Sequence, residues 1–267
     1  MTAFDADAIL LIAHGTRDPL GNEETLRLAA LVEAQAGIPV RTGFIEHAEP
    51  DVPETIDAMI AEGLRRIVAA PVILIAAGHV KEDVPQFIEA ARRRHPDASF
   101  RVADNLGIHP SILDILDERL RSCEADVAEV ARENTSVVFV GRGSSDPDAN
   151  SDIYKISRLF WESRGFRSVH VGFIGVTYPT MQESLQQASR MAPARIIVLP
   201  YFLFMGLLLT RIEKITDEAK ALYPGCEVLQ AKHMGPDIRL AEVILDRCRQ
   251  NSAPALADPS DLMVSRP

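Results

Sequence analysis

The stretch AILLIAHGTRDPLGNEE, residues 8–24, returns as SVVFVGRGSSDPDANSD at residues 136–152. Each is an apolar run that stops at X-Gly-[Thr/Ser]-X-Asp-Pro and leads into a helix-like segment. An unbroken apolar run of this length marks a strand buried on both faces, the kind found in parallel sheets. X is His14 in the first copy and Arg142 in the second. The chain is therefore an internal duplication whose two copies do different work.

The correspondence runs outward from that motif. Phe44-Ile45-Glu46 matches Phe173-Ile174-Gly175, and RRIVAAPVILIAAGH (65–79) matches ARIIVLPYFLFMGLL (194–208), with Pro71 over Pro200. The offset stays at 128 or 129 residues (142 − 14; 173 − 44). A repeat this long is a whole domain rather than a solenoid unit of about 20–50 residues. In the first copy the patterns predict strands at 8–13, 40–45, 67–76 and 99–104, alternating with helices at 22–36, 53–64, 81–94 and 111–122. In the second copy, strands are expected at 136–141, 168–174, 195–204 and 226–231. Such alternation implies an α/β fold: two similar parallel-sheet domains with helices on both faces of each sheet. The expected domains are 1–125 and 134–250. Residues 251–267 have no sustained period and three prolines, and read as a loose tail.

Composition narrows the function. A formal net charge of −10 argues against broad nucleic-acid binding and requires any anionic ligand to meet cations gathered locally. No apolar run reaches the roughly 18–20 residues that span a bilayer, and no basic segment precedes an apolar core at the N-terminus. Cys123, Cys226 and Cys248 are scattered and form no C-x-x-C pair, so neither a disulfide framework nor a thiolate zinc site is expected. A cytoplasmic protein follows from these readings.

Ligands of open parallel sheets bind beyond the carboxyl ends of the strands. His14, Glu46 and His79 follow three successive expected strands of the first copy, and so should project into one crevice. Two imidazoles and a carboxylate suit a borderline divalent ion, and histidine also accepts protons near neutral pH. His47 and Glu49 are alternatives to Glu46. In the second copy the three positions become Arg142, Gly175 and Leu207, as a single asymmetric site would produce. Thr16, Asp18 and Asn22 should fix the first loop; Ser144, Ser145, Asp146 and Asn150 occupy the second. Arg142 has two readings at this point, a planar donor fork for a carboxylate or a surface salt bridge. Lys81 and Arg211 add positive charge near the crevice. The apolar run 201–209 reads as a cleft wall, core or dimer surface.

AHGT (13–16), GHVKEDVP (78–85) and VGRGSSDPDANSDIYKISRLFWE (140–162) together resemble the long form of the sirohydrochlorin cobaltochelatase family, a branch of the class II chelatases. The resemblance covers residues 8–250 with both copies in order. It implies insertion of a divalent metal, Co2+ or alternatively Fe2+ or Ni2+, into sirohydrochlorin without ATP, and the chain indeed lacks a G-x-x-x-x-G-K-[ST] loop. It implies His14 as pyrrole-proton acceptor and metal ligand, His79 as second metal histidine and Glu46 as their acidic partner. Arg142, Ser144, Ser145, Lys81 and Arg211 would meet the polycarboxylate macrocycle. The metal would be substrate, with no resident cofactor. One chain supplies both halves of the cleft, so a monomer is expected. A noncatalytic metal or tetrapyrrole carrier is the rival of another class. A histidine phosphatase is disfavoured, because Ala13 stands where that chemistry wants arginine.

Overall fold

The computed structural model describes residues 5–76 and 79–250, without the side chains of 79 and 80. The expected tail at 251–267 lies outside the described residues. The first half runs β1 (Ala8–Ala13), α1 (Pro19–Ala36), β2 (Val40–Phe44), α2 (Val52–Ala61), β3 (Arg66–Pro71), a π-helical turn (His79–Asp83), α3 (Val84–Arg94), β4 (Ser99–Val102) and α4 (Pro110–Glu124). The second repeats it with β5 (Thr135–Gly141), α5 (Pro147–Trp161), β6 (Ser168–Phe173), α6 (Met181–Arg190), β7 (Arg195–Pro200), α7 (Leu207–Leu222), β8 (Glu227–Gln230) and α8 (Ile238–Gln250). Two four-stranded parallel sheets result, ordered β2-β1-β3-β4 and β6-β5-β7-β8.

Every residue of β1 and β5 is buried, because each is a central strand covered on both faces. Alternate residues go to different cores, as the period of two demands. Leu10 and Ile12 face Ile56, Met59 and Ile88 under α2 and α3. Val138 and Val140 face Leu185 and Ile212 under α6 and α7. Ile9 and Leu11 point the other way, into the same continuous core as Val137 and Phe139. The two sheets thus keep separate outer cores and share an inner one.

The terminal helices of the two halves are exchanged. Helix α4 packs against β7 and β8 of the second sheet, and α8 against α1 and β3 of the first. Reciprocal hydrogen bonds accompany the exchange. The Arg119 guanidinium on α4 donates to Met234 O, and that of Arg247 on α8 donates to Leu106 O. Both partners are related by the repeat offset of 128 (234 − 106; 247 − 119).

The third strand of each copy is shorter than its apolar run suggests. β3 ends at Pro71 and β7 at Pro200, not at 76 and 204. Val72 N and Tyr201 N still donate to Ile12 O and Val140 O, after which the chain leaves the sheet. Helix α1 starts three residues earlier than expected, because the Asp18 carboxylate accepts from Leu20 N and Pro19 opens the first turn.

Candidate active site

Two hydrogen-bonded loops stand at the carboxyl edge of each sheet. Beyond β1 and β2, Ile45 N donates to Ala13 O and Glu46 N to His14 O, so the parallel pairing continues into the loops. The second copy does the same, with Ile174 N to Gly141 O and Gly175 N to Arg142 O. Gly15, at φ 83°, lets the loops touch: a Cβ there would lie 1.9 Å from Glu46 O. Gly143, at φ 86°, meets Gly175 O in the same way, at 2.0 Å. No side chain fits either position.

The rest of the motif is scaffold. The Asn22 amide holds Thr16 by two hydrogen bonds, Thr16 N to Asn22 Oδ1 at 3.0 Å and Asn22 Nδ2 to Thr16 O at 2.9 Å. The Thr16 hydroxyl accepts from Asp18 N. Asn150 and Ser144 repeat the pair at 2.9 and 2.8 Å, and the Ser144 hydroxyl accepts from Asp146 N. Ser144 lines the cavity described below with its hydroxyl already engaged, and Ser145 is exposed outside the cavity lining.

On this scaffold His14 Nε2 stands 3.1 Å from Glu46 Oε1, and His14 Nδ1 lies 2.9 Å from Gly15 O. Glu46 Oε2 is 3.5 Å from Nε2 of His47, whose ring centroid is 6.2 Å from that of His14. His47 holds a left-handed backbone, φ 65°, uncommon for a residue with a side chain; its counterpart Val176 does the same at φ 68°, so this turn belongs to the loop frame that both copies share. The structure thus brings His14, Glu46 and His47 together. His79 begins the π-helical turn, but its side chain lies outside the described residues. Among the described residues no three His, Cys, Asp or Glu side chains converge into a ready metal cage.

A cavity of about 700 Å³ opens beside His14 and His47 and is lined from both halves. Its apolar walls are the two segments that leave the sheets after Pro71 and Pro200: 72–75 from the first copy and 201–209 from the second. Run 201–209 therefore lines the cavity, with Tyr201 and Leu209 buried in the cores behind it. Arg142 and Arg211 also line the cavity; both are exposed and have no ion-pair or hydrogen-bond partner among the described residues. The salt-bridge reading of Arg142 is thereby removed. Lys81 is placed elsewhere. Its Nζ lies 2.6 Å from Asp146 Oδ2 and 3.8 Å from Asp148 Oδ2, tying the first lobe to the cap of α5 outside the cavity lining. The pair holds the Asp146 carboxyl below, and the Lys81 ammonium above, their usual ranges. The sequence reading does not single out Arg17, which lines the cavity from within the first motif; its signal was a cation inside a loop otherwise made of scaffold residues.

Known proteins resemble this chain along most of its length. The sequence model of the CbiX family matches residues 8–123 and again 136–251. A sirohydrochlorin cobaltochelatase of Priestia megaterium is 35% identical over 91% of this chain and 79% of its own length. A sirohydrochlorin ferrochelatase of the same organism is 28% identical over 89% of this chain and 88% of its own. The solved structure of SirB from Bacillus subtilis with Fe3+ superposes with a TM-score of 0.79 at 26% identity, covering 92% of this chain and 95% of that one.

Proposed function

The chain belongs to the CbiX family, and from that membership we propose that it is a metal chelatase that inserts a divalent ion, Co2+, into sirohydrochlorin. One observation carries the reading. His14 and Glu46 meet at 3.1 Å at the edge of an apolar cavity also lined by two arginines of the opposite lobe that have no partner among the described residues.

The chemistry follows from what insertion requires. The aqueous ion must shed water, and two pyrrole N–H protons must leave the ring. Imidazole and carboxylate are donors of the right hardness to replace part of the ion's hydration without holding it permanently. His14 and Glu46 supply these from described positions, and His79 is proposed to add a second imidazole from the π-helical turn. A carboxylate beside His14 Nε2 stabilises the imidazolium that forms when the ring accepts a pyrrole proton, so Glu46 orients and steadies the base. The apolar walls seat the faces of the macrocycle, and Arg142 and Arg211 offer planar donor forks to its carboxylates. A cavity of this size, apolar with a few polar groups at its rim, is the usual form of a small-molecule site.

Fe2+ is the second reading, supported by the ferrochelatase relative that matches along nearly the same length. Donor type does not separate the two ions, because affinity order and metal supply govern selectivity. Anaerobic incubation with sirohydrochlorin and Co2+, Fe2+ or Ni2+ in turn, followed by absorption, tests the proposal. Metallated macrocycle should form fastest with Co2+. Faster turnover with Fe2+ would move the assignment to the ferrochelatase reading. Metal binding with no metallated product from any ion would leave a carrier.

A further inference from the structure

Five arginines make no hydrogen bond or ion pair among the described residues: Arg17, Arg27, Arg142, Arg190 and Arg211. Three of them, Arg17, Arg142 and Arg211, line the cavity beside His14, to which both lobes contribute. Acidic residues outnumber basic ones, 38 to 28, so a cation with no acid beside it is the exception, and its concentration in this cavity needs a cause. An apolar wall explains why no acid is there; it does not explain three cations. A ligand that brings its own carboxylates does.

Arg17 differs from the other two in where it stands. It is three residues beyond His14, in the same loop. Its backbone is pinned on both sides, by Thr16 N to Asn22 Oδ1 at 3.0 Å and by Asp18 N to the Thr16 hydroxyl at 3.1 Å. Only the side chain is left free. Its counterpart in the second copy is Ser145, whereas the counterpart of Arg142 is His14 (145 − 17; 142 − 14). Each loop therefore carries one guanidinium, at different positions. In the second loop the position beside the glycine is free for arginine. In the first it holds the imidazole, and the cation stands three residues on.

We propose that Arg17 is a specificity-determining residue: a carboxylate anchor on the reacting lobe that fixes how a polyacidic macrocycle is rotated over His14. This rests on the chelatase reading. Arg142 and Arg211 line the cavity from the second lobe. A carboxylate forked by Arg17 adds a contact from the loop that also holds His14, so it ties the ring's rotation directly to the reacting residue. The ligand class selected is a flat apolar ring with acidic side chains at its edge; a ring with the same core and no free carboxylates is not anchored.

The test is a metal-free binding titration of sirohydrochlorin, and of its methyl ester in dilute detergent, with wild type, Arg17→Ala and Arg17→Lys. A charge-assisted fork is worth roughly tenfold or more in affinity. Arg17→Ala should therefore raise Kd for sirohydrochlorin by about tenfold or more, and Arg17→Lys should recover only part, lacking the planar fork. The ester should bind wild type and Arg17→Ala alike, and the thermal midpoint should not move, since Arg17 makes no hydrogen bond or ion pair among the described residues. An unchanged Kd for sirohydrochlorin, or an equal loss for acid and ester, overturns the proposal. Wild type that binds the acid form yet yields no metallated ring when Co2+, Fe2+ or Ni2+ is then added overturns the chelatase reading and leaves the anchor standing. Wild type that binds neither form overturns both.

Discussion

The loop after β1 and the loop after β5 are tied by the same hydrogen bonds. Asn22 closes on Thr16 as Asn150 closes on Ser144, and Asp18 caps α1 as Asp146 caps α5. Each glycine lets its loop lie on the carbonyl of the neighbouring one. What differs is every side chain without a scaffold duty: His14 against Arg142, Arg17 against Ser145, Glu46 against Gly175, His47 against Val176. Duplication preserved the frame and left the outward-pointing positions open to change. One copy carries imidazole and carboxylate beside the cavity; the other carries a cation and apolar surface.

That contrast can be broken most directly at the two X positions. His14→Ala should lower kcat for metal insertion by about 10²–10⁴, the span of a general base, with a circular dichroism spectrum like wild type. Retained turnover would mean that the first loop is not the reacting one. The paired glycines come next. Gly15→Ala and Gly143→Ala should each cost about 2–4 kcal/mol in denaturant unfolding, through a positive φ and a Cβ forced onto a carbonyl. Only Gly15→Ala should also suppress turnover at temperatures where both variants are folded, because the carbonyl it displaces belongs to Glu46. Arg142→Ala should raise KM for the macrocycle about tenfold with KM for the metal unchanged, the mirror image of His14→Ala. An effect on kcat alone would erase the division of labour.

The smallest effect is at the tie between the lobes. Lys81→Met should lower the denaturation midpoint slightly at neutral pH. Asp146 is held below its usual range by Lys81, so its contribution is present above the ordinary carboxylate pKa and fades as pH falls through the depressed value. The gap between wild type and variant should therefore close in acid. A gap that persists there would assign the loss to packing rather than charge.

Much of the fold was legible because a strand covered on both faces must be apolar throughout, and β1 and β5 are. The duplicated loops were legible for the opposite reason: glycine, asparagine and proline are spaced by local geometry alone. Two features escaped. The runs after Pro71 and Pro200 read as strand because a cavity wall and a sheet interior demand the same residues; Ile73, Leu74, Phe202 and Phe204 line the cavity, and the last three also pack against a core from outside the sheets. The exchange of α4 and α8 escaped because an amphipathic helix does not specify which sheet it covers. At the site, His14 and Glu46 followed from strand order. Lys81 could be read as a cation, but its acidic partner lies 65 residues away in the other copy. Arg17 was hidden by its surroundings, a functional side chain between two structural ones.

The crossing of the last helices has a consequence for how the cleft survives dilution. α4 ends at Glu124 and β5 starts at Thr135, so a short connector joins the two lobes, each of which needs a helix belonging to the other. A linker of that length holds its ends at an effective concentration on the order of millimolar, whatever the concentration of the protein itself. Were the halves separate polypeptides, scarcity would pull them apart and strip both of their cover. Tethered, they meet at the same local density whether the protein is abundant or rare.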